Sequence, residues 1–176
     1  MKAYEKILVP VDFTPHSAEA MRRAADLAQR YGAALTLIYV YEPLDYALPE
    51  GYALYTPEQV GRLLEEFRQR LQAVVHDVEA MGVGVVESQV LNGAAAVEIV
   101  HFAEEHGFDL IVMGTHGRTG LSHLLMGSVA ERVLRTAHCP VLTVKAPPEG
   151  GTAELPEPSE ESEEDEVEAP ASSHAA

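Results

Sequence analysis

A glycine-rich stretch between an apolar run and a helical pattern holds the residues best suited to bind a ligand. It contains the spacing Gly114-x-x-Gly117 and, after nine further residues, Gly127-Ser128. Glycine lets backbone N–H groups approach a ligand closely and adopts positive φ readily. The N-terminus of the following helix adds unpaired donors and roughly half a positive charge, which favours phosphate. The spacing therefore indicates an anion site, most naturally for the phosphates of a nucleotide.

Three polar side chains bear on this site. Ser128 offers a hydroxyl donor, and Arg118 offers a planar guanidinium that suits a phosphate oxygen, although an arginine in a loop is more often solvated. Asp12 follows the first apolar run. Taken alone, Asp12 is as well explained by capping the next helix as by contacting a ligand.

Strand-like apolar runs alternate with amphipathic helical patterns, which indicates an α/β protein with a parallel sheet. The sequence predicts five strands, at 7–11, 35–40, 83–91, 109–113 and 140–144. It also predicts four helices: one from Thr14-Pro15 to Gly32, one from a capping box at 56–59 to Gly82, one ending at Gly107 and one over about 125–138. Right-handed crossovers then predict a doubly wound sheet in the order 3-2-1-4-5, with helices on both faces.

The predicted strand order places the site. Its switch point lies between strands one and four, and ligands of such sheets bind outside the carboxyl ends of the strands there. Asp12 and Gly114 follow or end those two strands. We therefore expect these two positions, which are distant in sequence, to face one crevice.

The residues around this crevice resemble the universal stress protein family. The glycine spacing is similar to that family's nucleotide-binding signature, and segments 6–12, 109–118 and 139–144 resemble its first, fourth and fifth strands. The likeness covers about residues 3–146. It implies a Rossmann-like fold that binds ATP or AMP. Because both signature glycine pairs and the serine are present, the chain resembles the ATP-binding branch.

The resemblance implies a role for each matching position. Asp12 would contact the nucleoside, Val40 would meet adenine through its backbone, and Met113 and Gly114 would line the ribose side. The phosphates would be held by Gly117, Gly127, Ser128 and Val129. Mg²⁺ bridging the phosphates is compatible with this site because such ions use few protein ligands. A protein-ligated metal is not expected, since the histidines lack the spacing of a metal site on a helix.

Other nucleotide motifs fail on the sequence. No Gly-Lys-Ser/Thr is present, which excludes the Walker P-loop. The pair Gly82-x-Gly84 lacks a third glycine and follows a helix, which excludes the dinucleotide fingerprint.

Composition limits the partners and the compartment. The chain has 28 acidic residues against 12 Lys plus Arg, and a net charge of -16. This lack of a basic footprint argues against binding to nucleic acid or to an anionic membrane. The single cysteine, Cys139, fits a reducing compartment. With no signal-peptide core and no long apolar window, a cytoplasmic protein is expected.

The acidic residues are unevenly distributed. Ten of them lie in residues 149–176, which contain no Lys or Arg. Such a segment cannot bury enough apolar surface to offset its ordering entropy. The sequence therefore predicts a nucleotide-binding domain at 1–147 and an acidic disordered tail at 148–176.

Three functions stay open at this point. The first is a nucleotide-binding stress-response or signalling module without assigned catalysis. The second is a slow ATPase or phosphotransferase that uses Asp12 with Mg²⁺, and the third is an oligomeric interaction protein with a vestigial site. The resemblance also implies a homodimer through the last strand, where Val141–Val144 would form an exposed apolar edge.

Overall fold

The computed structural model describes residues 4–42, 56–116 and 126–146, and strands alternate with helices along them. The strands are β1 Lys6–Pro10, β2 Ala34–Tyr41, β3 Val86–Asn92, β4 Leu110–Gly114 and β5 Val141–Val144. The helices are α1 Pro15–Tyr31, α2 Pro57–Ala80, α3 Ala95–Glu105 and α4 Ser128–Thr136. The predicted acidic tail lies outside these residues, so the division at 147/148 stays a prediction.

The five strands form one parallel sheet in the order β3-β2-β1-β4-β5. This confirms the predicted topology and puts the switch point between β1 and β4. Ile7, Leu8 and Val9 of the central strand are fully buried, because helices cover both faces of the sheet there. Pro10 ends β1 as predicted, since it has no N–H to donate to a neighbouring strand.

Helices α1 and α2 pack on one face of the sheet, and α3 and α4 pack on the other. The first face buries alanines of α1 together with Leu71, Val75 and Val78 of α2. The second face buries Ile99 and Phe102 of α3 and Val133 of α4. Each helix thus contributes one apolar stripe to the core on its own face of the sheet.

Local capping chemistry fixes the predicted helix starts. Thr14 caps α1 by accepting a hydrogen bond from the Ser17 N–H at 3.3 Å, and Gly32 ends that helix at φ 66°. Thr56 and Gln59 form the reciprocal capping box predicted for α2, with hydrogen bonds of 2.7 and 3.3 Å. Both helices begin where the sequence predicts because the signals lie within one turn.

Two elements, β3 and α4, have a boundary that differs from the prediction by more than one residue. β3 begins at Val86, not Val83, because Gly82 turns the chain at φ 89° and the buried Val83 packs into the core before strand pairing starts. α4 covers Ser128–Thr136, which is shorter than the predicted 125–138, because Ala137 is already extended. Among the described residues, no helix is long and apolar enough to cross a membrane.

Candidate functional site

The strand order brings Asp12 and Gly114 together at the carboxyl ends of neighbouring strands. Asp12 lies two residues beyond β1, Gly114 ends β4, and the two strands pair in parallel. Val40 lies near the end of β2, on the other side of β1. We call the space between the carboxyl ends of β1 and β4 the switch-point crevice. The predicted nearness of these distant residues follows from this topology.

The carboxylate of Asp12 is oriented by the turn that leads into α1. Its Oδ1 accepts hydrogen bonds from the Thr14 N–H at 3.1 Å and from the Thr14 hydroxyl at 2.6 Å. The N–H of Asp12 donates to the Ser17 hydroxyl at 3.4 Å. Oδ2 makes no hydrogen bond within the described residues. Asp12 therefore supports the cap of α1 with one oxygen, while its other oxygen has no hydrogen-bond partner among the described residues.

Gly114 allows the end of β4 to approach α1 closely. A Cβ atom at this position would lie 2.9 Å from the His16 Cβ and 3.0 Å from the His16 carbonyl carbon. Any larger residue would force the two elements apart, since real Cβ atoms do not approach so closely. Close packing of strand and helix thus accounts for this glycine.

The start of α4 is fixed beside the end of β4. The Gly127 N–H donates to the Thr115 carbonyl at 2.7 Å, and the Thr115 N–H donates to the Val144 carbonyl at 2.8 Å. Gly127 is the N-cap of α4 and makes no side-chain cap hydrogen bond. Because its own amide is engaged, the donors left at this terminus are the first-turn amides of Ser128, Val129 and Ala130. Ser128 and Val129 are exposed.

Two histidines border the crevice. The ring centroids of His16 and His116 lie 5.3 Å apart, and both residues are half-buried. The Thr115 hydroxyl and His116 Nδ1 are hydrogen-bonded at 3.1 Å. The sequence interpretation named His116 as a loop histidine and, with Asp12, as one of two side chains that could assist hydrolysis, and it omitted His16. The position of His16 in the first turn of α1, four residues after Asp12, is a signal that could have identified it.

The remaining predicted residues differ in their placement. Met113 is 5% exposed and belongs to the core on the α3–α4 face, so only its backbone is placed to meet a ligand. Val40 is half-buried against the same core. Gly117 and Arg118 lie outside the described residues.

No metal-binding cluster competes with this crevice in the described part of the chain. No three His, Cys, Asp or Glu side chains come together there in a metal-binding group. Cys139 is half-buried, and burial raises the pKa of its thiol, which favours the protonated form. A groove of about 330 Å³ beside α3 and β3, lined among others by Lys6, Thr36 and Phe102, contains none of the predicted site residues.

The fold defines a doubly wound α/β protein with a crevice at the switch point of its sheet, the place where sheets of this kind bind ligands. The described residues that border this site include an aspartate, two histidines and a helix N-terminus. The chain belongs to the universal stress protein family, whose model matches residues 3–145.

Individual relatives agree with this membership. The universal stress protein MJ0531 of Methanocaldococcus jannaschii is 44% identical over 147 residues, covering 82% of this chain and 84% of that protein. The solved structure of MJ0577 from the same organism superposes with a TM-score of 0.72 at 30% identity, covering 82% of this chain and 97% of that one. The universal stress protein of Archaeoglobus fulgidus, solved in complex with dAMP, has a TM-score of 0.59 at 25% identity, covering 82% and 100%.

Proposed function

We propose that this protein is a nucleotide-binding stress-response or signalling module that takes ATP or AMP in the switch-point crevice. The observation that carries the proposal is that Asp12, two residues beyond β1, and the N-terminus of α4, which is hydrogen-bonded to Thr115 just after β4, both follow the carboxyl ends of adjacent strands. A nucleotide presents an anionic end and a nucleoside with hydroxyl and amine donors. On one side of this crevice the Asp12 carboxylate can accept hydrogen bonds from the nucleoside, and on the other the N-terminus of α4 favours an anion.

The phosphates belong at α4 in this proposal. First-turn amides lack acceptors within the helix and carry the positive end of its dipole, so they favour an anion. The Ser128 hydroxyl adds a donor beside Val129 at the same terminus. Because the Gly127 amide already donates to Thr115, Gly127 contributes through its lack of a side chain. Gly117 and Arg118 are proposed to complete the phosphate contacts, with Mg²⁺ bridging the phosphates.

The nucleoside belongs at β1 and β2. The Asp12 Oδ2 accepts from its hydroxyl groups, while the Val40 backbone meets the base and the backbone of Met113 and Gly114 lines the sugar. The dAMP complex of the Archaeoglobus fulgidus relative supports a nucleotide at this fold's site. The ATP-binding branch of the family is proposed on the glycine spacing of 114–128.

Binding without efficient turnover is the proposed activity. Hydrolysis needs a positioned base or a metal-activated water. The Oδ1 of Asp12 is committed to Thr14 by two hydrogen bonds. A binding module reports its occupancy only when the bound and free states differ in conformation or in partner affinity.

One experiment separates binding from turnover. The purified full chain is incubated with ATP and Mg²⁺, bound nucleotide is isolated by gel filtration, and its phosphate content is determined by chromatography. We expect stoichiometric nucleotide that stays ATP over hours. Conversion to ADP that Asp12→Asn abolishes would show the slow ATPase instead. Absence of bound nucleotide at millimolar ATP or AMP would contradict nucleotide binding.

We also propose a homodimer through β5. This strand forms one edge of the sheet, and an unpaired edge is a template for pairing with another chain. Leu142 is 39% exposed, whereas Val144 is buried and belongs to the core on the α1–α2 face. Leu142 is therefore the apolar residue that this edge offers to a partner.

A further inference from the structure

The residue after Asp12 has an unusual backbone. Phe13 has a φ of 63°, and it is the one non-glycine residue with positive φ among those that the structure describes. This left-handed region is unfavourable for a side chain with a Cβ atom, above all a large one. Such a conformation persists only where the surroundings hold it in place.

Contacts from two other elements hold the Phe13 ring. The ring lies 5.2 Å from that of Tyr39 on β2, with the planes tilted by 31°. The guanidinium carbon of Arg70 on α2 lies 4.1 Å from the centre of the Phe13 ring, within the range of a cation–π interaction. Tyr39 packs in turn on Phe67 of α2, with their centroids 4.3 Å apart. This aromatic stack connects α2 to the turn that follows β1.

The backbone of Phe13 controls the carboxylate of Asp12. The Thr14 N–H, which donates to the Asp12 Oδ1 at 3.1 Å, belongs to the peptide that joins Phe13 to Thr14. A change of Phe13 to negative φ would rotate Thr14 relative to Asp12, and the hydrogen bond from the Thr14 N–H to the Asp12 Oδ1 would be lost. The carboxylate would then be free to turn away from the crevice.

We propose that Phe13 is a positioning residue of the nucleotide site: the stack of Tyr39 and Arg70 on its ring holds its backbone left-handed, and this aims the Asp12 carboxylate into the crevice. The inference rests on the proposed function, because Asp12 is there assigned to the nucleoside. It adds that α2, through Arg70 and Phe67, contributes to nucleotide affinity without touching the ligand.

Variants at Phe13 separate its ring from its backbone. Phe13→Tyr keeps the ring and should bind ATP like the wild type. Phe13→Ala removes the ring but keeps the cost of positive φ, and should weaken binding about tenfold, the scale of one unsupported strained residue. Phe13→Gly adopts positive φ at no steric cost and should fall between the two. Binding is measured by calorimetry on the full chain, with melting temperatures recorded in parallel.

Two readouts distinguish positioning from a general structural role. In an Asp12→Asn background, Phe13→Ala should cause little further loss of ATP affinity, because both changes remove the same contact. Inorganic tripolyphosphate should bind wild type and Phe13→Ala equally, since its contacts lie at α4. Losses that add fully in the double variant, or an equal loss of tripolyphosphate affinity, would overturn the inference.

A milder variant covers the case in which Phe13→Ala fails to fold. Arg70 is exposed, so Arg70→Met should leave the melting temperature unchanged and weaken ATP binding about twofold. Arg68→Met, on the exposed side of the same helix, is its matched control and should bind normally. Wild-type ATP affinity in a folded Phe13→Ala, or in Arg70→Met where Phe13→Ala does not fold, would overturn the positioning role alone. A wild type that binds no nucleotide would overturn it together with the proposed function.

Discussion

Gly114 and Asp12 illustrate how single residues here serve the fold and the site together. Gly114 permits close contact between the end of β4 and His16 of α1, beside the switch-point crevice. Asp12 supports the start of α1 with one carboxylate oxygen, and its other oxygen is the one proposed to accept from a nucleoside. A substitution at either residue should therefore affect the stability of the protein and its affinity for nucleotide to different extents. Measuring both quantities separates the structural role of the residue from its role in binding.

Gly114→Ala should destabilise the protein by about 2 kcal/mol, the scale of an added methyl group in a packed interior. The new Cβ would meet the His16 Cβ at 2.9 Å, so α1 or β4 must shift. Urea unfolding of the two proteins measures the difference. Gly61→Ala is the control, because nothing lies within 4 Å of that exposed position in α2. It should stabilise the protein by about 1 kcal/mol through helix propensity. Unchanged stability in Gly114→Ala would contradict the close contact.

Glu19 is a buried carboxylate that makes the stability depend on pH. Hydrogen bonds from the Arg22 side chain at 2.6 and 2.8 Å lower the pKa of Glu19 below its ordinary value of 4.5, and Arg23 adds to the effect. A lowered pKa contributes stability above the ordinary value, and this contribution is lost as the pH falls through the folded-state pKa.

Glu19→Gln should accordingly be less stable than the wild type at pH 7, by about 1 kcal/mol. The difference should shrink as the pH falls below 4.5, where the wild-type carboxyl takes up a proton. Thermal melts from pH 7 to 3 test this. Glu65→Gln, which breaks an ion pair exposed on both sides, should match the wild type throughout. A gap between Glu19→Gln and the wild type that is constant with pH would contradict the role of this charge.

At the scale of elements, the sequence predicts those features that depend on local capping signals and on the order of strands and helices. The starts of α1 and α2 follow from Thr14-Pro15 and from the Thr56–Gln59 capping box, whose hydrogen bonds lie within one turn. The strand order follows from the alternation of elements and the handedness of crossovers. Asp12 and Gly114 were thereby predicted to lie together at the carboxyl ends of β1 and β4.

Features that depend on contacts between elements could not be predicted in this way. The start of β3 is set by where Val83 packs into the core, which no local pattern encodes. The left-handed Phe13 depends on Tyr39 and Arg70 from β2 and α2. The His16–His116 pair exists because α1 and β4 approach at Gly114. Each requires the three-dimensional arrangement before the residue's role can be recognised.

At the scale of the whole molecule, the proposed dimer would form through β5, the strand at one edge of the sheet. Leu142→Lys places a charge on the exposed apolar position of this strand and should convert the proposed dimer to a monomer in light scattering. Val97→Lys is the matched control, because Val97 is 45% exposed on α3, away from β5. A dimer mass retained by Leu142→Lys would place the contact elsewhere.

The most direct test of the account is the affinity of the full chain for ATP in calorimetry, with and without a side chain at the start of α4. Gly127 has an ordinary extended backbone, at φ -72° and ψ 150°, so Gly127→Val should fold and fill the space beside the first-turn amides. Gly84→Val, at an open position outside the site, is the control. We predict that the wild type and Gly84→Val bind ATP alike and that Gly127→Val binds at least tenfold more weakly. Undiminished affinity in Gly127→Val would contradict a phosphate site at this helix terminus.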